Sequence, residues 1–260
     1  MAEQDLNLKT IALIDSLKST TGAYGLANNG SEYKIITEIF LYKFFNDKFG
    51  YEAKRVPEYG ERLKKAEKWD AEYDSFTEDE VEDLFTYLPG SVPRLKPHQT
   101  LAHLYNASGQ GDFSALLDST LIEIASQNAD TFSVSTSGKS KVSIFTAVTT
   151  YVTDTSKRDA FAKALMSTVT SFNFETVFDE KYDFFSGVFE YLIKDYNNAG
   201  GGKYAEYFTP RAIAQVMAAL LTEEGKDYKG VTCYDPSAGT GTLLMALAHA
   251  IGEDRWSIYS

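Results

Sequence analysis

A single cysteine, Cys233, stands in a chain of 260 residues. That count excludes an internal disulfide framework and a cysteine-built zinc site, and it predicts a reducing compartment. Long hydrophobic runs are missing too: no stretch of about 18 apolar residues is present to span a bilayer. The opening Met1-Ala2-Glu3-Gln4-Asp5 lacks the basic-then-apolar order of a signal peptide, so the sequence points to a cytoplasmic location. Positive charge is scarce: 25 Lys and Arg against 37 Asp and Glu give a formal net charge of −12. A protein that grips DNA unaided presents a basic face to the phosphates. This balance predicts that any nucleic-acid substrate is gripped through a local basic strip or a partner, and favours the partner. Of the histidines, His98 and His103 are five apart, a spacing that suits neither one helical face nor a metal pair.

What is present is the composition of a globular protein, 43% hydrophobic and 24% charged, long enough for one large or two modest domains. Leu6, Ile11, Ile14 and Leu17 recur as on a short amphipathic helix, ended by Thr21-Gly22-Ala23-Tyr24-Gly25. A stronger helix follows, with Ser31 as N-cap and Gly50 as stop. Tyr33, Ile36, Ile39, Phe40, Tyr42, Phe44, Phe45 and Phe49 make it apolar nearly all round, which predicts burial in a core or at a subunit contact. Residues 52–83 alternate acid and base and read as a solvated helix with i,i+4 pairs. Pro89, Pro93 and Pro97 mark a loop, and helices are expected again over Thr100–Ala107 and Phe113–Asn128.

Ser137-Gly138-Lys139-Ser140 after the strand-like Thr131–Val134 has the ending of a phosphate-binding loop. Its earlier glycine position holds Ser133, so a plain polar loop is the better reading. Helical spacing resumes in Ile144, Phe145, Val148, Tyr151 and Val152, then in Phe161, Leu165, Met166 and Val169. Another amphipathic helix is predicted over Tyr182–Tyr196, running into the loop Asn197-Asn198-Ala199-Gly200-Gly201-Gly202. Thr209 is a natural N-cap with Pro210 at the first helical position, ahead of a helix over Ile213–Leu221.

The most informative stretch is Cys233-Tyr234-Asp235-Pro236-Ser237-Ala238-Gly239-Thr240-Gly241. Val231, Cys233 and Tyr234 give a short strand; Leu243, Leu244, Leu247, Ala248 and Ile251 give a helix; between them lies a glycine-rich loop. Such a loop lets backbone N–H groups approach a ligand at the positive end of a helix, so a cofactor site is expected there. A dinucleotide fingerprint does not fit, because its third glycine would fall on Leu244.

Glu206-Tyr207-Phe208-Thr209-Pro210-Arg211 followed by Asp235–Gly241 resembles the paired motifs of the modification subunit of type I restriction-modification systems, an adenine-N6 DNA methyltransferase. Ala205 stands where that family usually has glycine, and Phe40-Leu41-Tyr42-Lys43-Phe44-Phe45 is similar to a helix of the family's leading domain. The resemblance implies an α-helical N-terminal domain over residues 1–170. From 171 to 260 it implies the start of a Rossmann-like, doubly wound α/β methyltransferase domain dependent on S-adenosylmethionine. It also implies that Glu206, Tyr207, Phe208, Thr209, Pro210, Arg211, Asp235, Pro236, Ser237, Ala238, Gly239, Thr240 and Gly241 line the cofactor pocket, with Asp235 placing a carboxylate near the cofactor's amino group. Expected partners are DNA reached through a complex, a specificity subunit, a restriction subunit and a second modification subunit.

Adenine methyltransferases hold the flipped base with an Asn/Asp-Pro-Pro-aromatic loop. No two of the six prolines here are adjacent, so no catalytic residue is assigned. The sequence reaches Ser260 just as Trp256–Tyr259 opens another strand, and the expectation is that only the opening part of the catalytic domain is present and that these residues alone transfer no methyl group. The alternative is a non-catalytic scaffold for the specificity or restriction subunit.

Overall fold

The computed structural model describes residues 2–28, 30–135, 141–178, 209–223, 226–239, 241–252 and 256–259. The chain divides into two compact units, Met1–Tyr182 and Asp183–Ser260.

The first unit is helical and organised on α2, Gly30–Ala53. Packed with it are α1 (Ala2–Ala23), α3 (Pro57–Lys65), α4 (Trp69–Tyr73), α5 (Glu78–Tyr87), α6 (Leu101–Ala107), α7 (Phe113–Gln127), α8 (Ala129–Phe132) and α9 (Arg158–Thr170). The aromatic periodicity of α2 is spent on the core: Phe40, Tyr42, Phe45 and Phe49 are all at most 2% exposed. Their rings meet Phe174, Phe145, Phe132 and Tyr73 at centroid distances of 5.7, 6.3, 4.8 and 5.1 Å, edge or tilted geometries that favour aromatic pairs.

Several expected boundaries shift, each for a physical reason. Ser31 lies inside α2 and caps nothing. Gly50 does not stop that helix, which continues to Ala53; it is the point where Trp69 lies against the helix, and a Cβ there would stand 2.5 Å from two carbons of the indole. The charged stretch 52–83 is broken into α3, α4 and the start of α5, with Pro57 opening α3 and a capping box at Thr77 and Glu80 opening α5. Its charges pair across these helices: Arg62 reaches both Glu72 and, at 2.8 Å, Glu80. Thr131 and Phe132 end α8, and the strand there is only Val134–Ser135 (β1), antiparallel to Lys141–Val142 (β2). Ser137–Ser140 lie outside the described residues, as does the helix expected over Tyr182–Tyr196 with its glycine run.

Buried acids and an amide on α2 tie distant loops to it. Glu32 takes the Thr21 hydroxyl and the Asn28 backbone N–H, both at 2.7 Å. Glu38 accepts the backbone N–H of Thr146 at 2.7 Å, Asn46 that of Leu101 at 2.9 Å, and Asp47 that of Phe174 at 2.9 Å. A carboxyl stripped of water is easier to leave protonated, so burial pushes Glu38 and Asp118 above the usual carboxylate range, partly offset by bonds from Thr146 and Thr149. The helix N-terminus of α7 is capped from across the unit, because Asp159 accepts the Ser114 backbone N–H at 2.8 Å.

The second unit, among described residues, holds α10 (Arg211–Leu221), β3 (Val231–Tyr234), α11 (Thr242–Ile251) and β4 (Trp256–Tyr259). β3 and β4 run parallel, with Val231 beside Trp256 and Tyr234 beside Tyr259. A parallel pair needs a crossover, and α11 supplies it. Cys233, Leu244 and Ile251 form the small core, with Tyr228, Val231, Ala238 and Leu247 around it. α10 packs on α11 and buries Ala214 and Ala218, while Ile213, Val216, Met217, Leu220 and Leu221 stay exposed. No helix among the described residues is long and apolar enough to cross a membrane.

Candidate functional site

β3 alternates as a strand should: Cys233 points into the core, Thr232 and Tyr234 point out. The alternation brings Asp235 to the carboxyl end of a parallel strand, where α/β sheets place their ligands. Asp235 Oδ1 then accepts the backbone N–H of Ser237 at 2.9 Å. This turn-forming bond leaves the second carboxylate oxygen for another partner.

The loop closes through two glycines in the left-handed region, Gly239 at φ +56° and Gly241 at φ +78°. Residues with a Cβ adopt that region at a cost of about 1–2 kcal/mol. Among the described residues the space beside them is open: around a Cβ at Gly241 nothing lies within 4 Å, and at Gly239 only the Ser237 carbonyl, at 3.9 Å. The Gly241 N–H bonds the Ala238 carbonyl at 2.7 Å, and its own carbonyl takes the Met245 N–H at 2.9 Å, so the loop runs without a break into α11. No side chain caps that helix. Its first turn stands at the positive end of the helix dipole.

Of the first motif, Thr209, Pro210 and the backbone of Arg211 are described, while Glu206, Tyr207 and Phe208 lie outside the described residues, as does Thr240 in the loop. The cap assignment is corrected: Pro210, not Thr209, is the N-cap residue of α10, and Arg211 is the first helical residue. Pro210 has an extended ψ of 136°, and its carbonyl takes the N–H groups of Ile213 and Ala214 at 2.9 and 3.1 Å. With α10 packed on α11, both motifs belong to adjacent elements. The sequence marks Tyr234 only as an apolar strand residue. It is 69% exposed beside Asp235, and the period-2 alternation was the signal that placed it outward.

Residues 180–259 match the family described as N-6 DNA Methylase. Over 98 residues the chain is 26% identical to the type I restriction enzyme MpnII methylase subunit of Mycoplasma pneumoniae, a stretch that is 38% of this chain and 18% of that protein. Among solved structures, the type I restriction-modification system methyltransferase subunit from Streptococcus thermophilus has a similar fold, with a TM-score of 0.66 and 18% sequence identity, over 98% of this chain and 52% of that one. This chain thus spans about half the length of that solved subunit and a smaller share of the Mycoplasma relative.

Proposed function

We propose, from the premise that this chain is a relative of the type I restriction-modification methyltransferase subunits, that its second unit opens a Rossmann-like, doubly wound adenine-N6 DNA methyltransferase domain. In this reading the helical domain is residues 1–170 and the methyltransferase domain begins at 171. The observation that carries the reading is the loop Asp235–Gly241, standing at the carboxyl end of a parallel strand and opening an uncapped helix, inside the stretch that matches the N-6 DNA Methylase family.

The loop suits S-adenosylmethionine on its own chemistry. Open space beside Gly239 and Gly241 admits close backbone approach, the positive end of the α11 dipole favours an anionic group, and the second Asp235 oxygen accepts from an ammonium. Asp235, Pro236, Ser237, Ala238, Gly239, Thr240 and Gly241 would form one wall, and Glu206, Tyr207, Phe208, Thr209, Pro210 and Arg211 another. The cofactor, when bound, supplies an electrophilic methyl group on a sulfonium; the residues named here bind and orient it. DNA would be reached in a cytoplasmic complex with a specificity subunit, a restriction subunit and a second modification subunit, consistent with the net charge of −12.

Photo-crosslinking with radiolabelled S-adenosylmethionine tests the pocket. Label should map to peptides holding residues 206–211 and 235–241, and fall away in Asp235→Ala; label confined to the helical unit overturns the assignment. The lack of adjacent prolines within these 260 residues is compatible with a second reading, a scaffold without catalysis. Both readings expect these residues to form no N6-methyladenine, as read by mass spectrometry, on incubation with DNA and a specificity subunit; product there overturns both.

A further inference from the structure

The helical unit carries a groove of about 890 Å³ between α2, α4, α6 and the end of α9 that the methyltransferase reading does not use. Its floor is Lys43 and Asn46, only 4% and 6% exposed. The Lys43 ammonium has three N–H donors, of which the protein takes one, through Asp47 Oδ1 at 2.9 Å. Asn46 also gives one of its two amide hydrogens to that oxygen, at 3.0 Å. Asp47 already accepts three hydrogen bonds, since its other oxygen holds the Phe174 N–H. Each nitrogen keeps further N–H groups, two on Lys43 and one on Asn46, that can donate to acceptor atoms of a molecule in the groove.

The walls narrow the chemistry further. Lys43 is matched by Asp47 and Lys54 by Glu175 at 2.6 Å, and along the walls Lys64 and Lys68 stand among Glu67, Asp70 and Asp74. These pairs leave little net field for a multiply charged ligand. Trp69 and Tyr105 both line the groove and provide aromatic surface. The volume lies within the range of small-molecule sites. Buried donors, aromatic walls and near-neutral charge together suit a flat, uncharged ring system bearing carbonyl or imine acceptors.

We propose that this groove is a binding site for a nucleobase delivered as a free, uncharged nucleoside. The proposal is independent of the cofactor pocket. The chain has two tryptophans, so Trp256→Phe leaves Trp69 as the sole reporter. Titrating thymidine and adenosine into that variant should quench Trp69 saturably, with a short oligothymidylate binding no more tightly. Tighter binding of the oligonucleotide than of thymidine overturns the assignment to a free nucleoside.

Tyr105→Ala and Asn106→Ala change exposed wall residues; each should weaken binding at least tenfold with the melting temperature unchanged. Asp235→Ala should leave it unaltered, which separates the groove from the cofactor loop. The proposal is overturned by no saturable response to any of the three probes at millimolar concentration, by binding indifferent to both wall variants, or by binding that Asp235→Ala removes. Line broadening of the nucleoside proton signals in each variant gives a second readout.

Discussion

Asp47 on α2 holds the backbone N–H of Phe174, 127 residues further along the chain, at 2.9 Å, and does so while paired with Lys43. Both side chains are 6% exposed. Removing one partner of a buried pair leaves an uncompensated charge, which costs about 3–5 kcal/mol. Asp47→Ala should lose that much in urea unfolding of the helical unit. By contrast the Lys54–Glu175 pair, one-fifth to one-quarter exposed, belongs to the class worth about 0–1 kcal/mol. Glu175→Ala should therefore cost far less; equal losses in the two variants would contradict this account.

Gly50 and Trp69 predict a change of sign. In the native chain Gly50→Ala drives a methyl into the indole, 2.5 Å from two of its carbons. Overpacking of this kind costs about 1–3 kcal/mol and outweighs the gain in helix propensity. With Trp69→Ala the obstruction is gone, and Gly50→Ala should stabilise by roughly 0.5–1 kcal/mol through propensity alone. Thermal melts of the four-member cycle measure the coupling.

Asp235 has two separable roles. Asp235→Asn retains an acceptor for the Ser237 N–H and should keep the loop while removing the charge offered to the cofactor. Asp235→Ala removes both. The Asn variant should bind S-adenosylmethionine more weakly with an unchanged melting curve, and the Ala variant should also lower the transition of the second unit.

Two acids of the helical unit predict opposite pH trends. Glu38 has its folded value raised by burial, so its proton is bound more tightly folded than unfolded. Its favourable contribution is present below the unfolded value and is lost as pH rises through the folded one. Against Glu38→Gln, the native chain should lose ground as pH rises past the unfolded glutamate value. Asp159 is held low by the Ser114 backbone N–H and hydroxyl. Its contribution is present above the unfolded value and fades as pH falls through the folded one, so Asp159→Asn should matter least in acid.

Much of this was legible in residue order. Strong periodicity gave α2, α6, α7 and α11, and the small residues of Asp235–Gly241 announced a strand-to-helix turn because few other residues tolerate its backbone. The misreadings have a common cause, which is that tertiary contact overrode local preference. Gly50 reads as a stop, yet Trp69 comes to lie on it, a contact made across 19 positions that no local window contains. Arg62 reads as an i,i+4 partner, yet its acids are Glu72 and Glu80. Thr209 reads as a cap, yet the proline after it takes that place. The groove over Lys43 was invisible because its walls come from four separate stretches, and its floor was read only as part of an apolar helix.

The bare face of α10 bears on how the protein behaves in solution. Ile213, Val216, Met217, Leu220 and Leu221, between 42% and 80% exposed, lie on an eleven-residue helix, whereas the whole chain carries a net charge of −12. Mutual repulsion keeps such molecules apart at low ionic strength, and salt removes it. Their colloidal behaviour should therefore invert the usual laboratory habit: added sodium chloride promotes self-association, dilute buffer opposes it, and Leu220→Lys with Leu221→Glu abolishes the salt dependence without altering the charge.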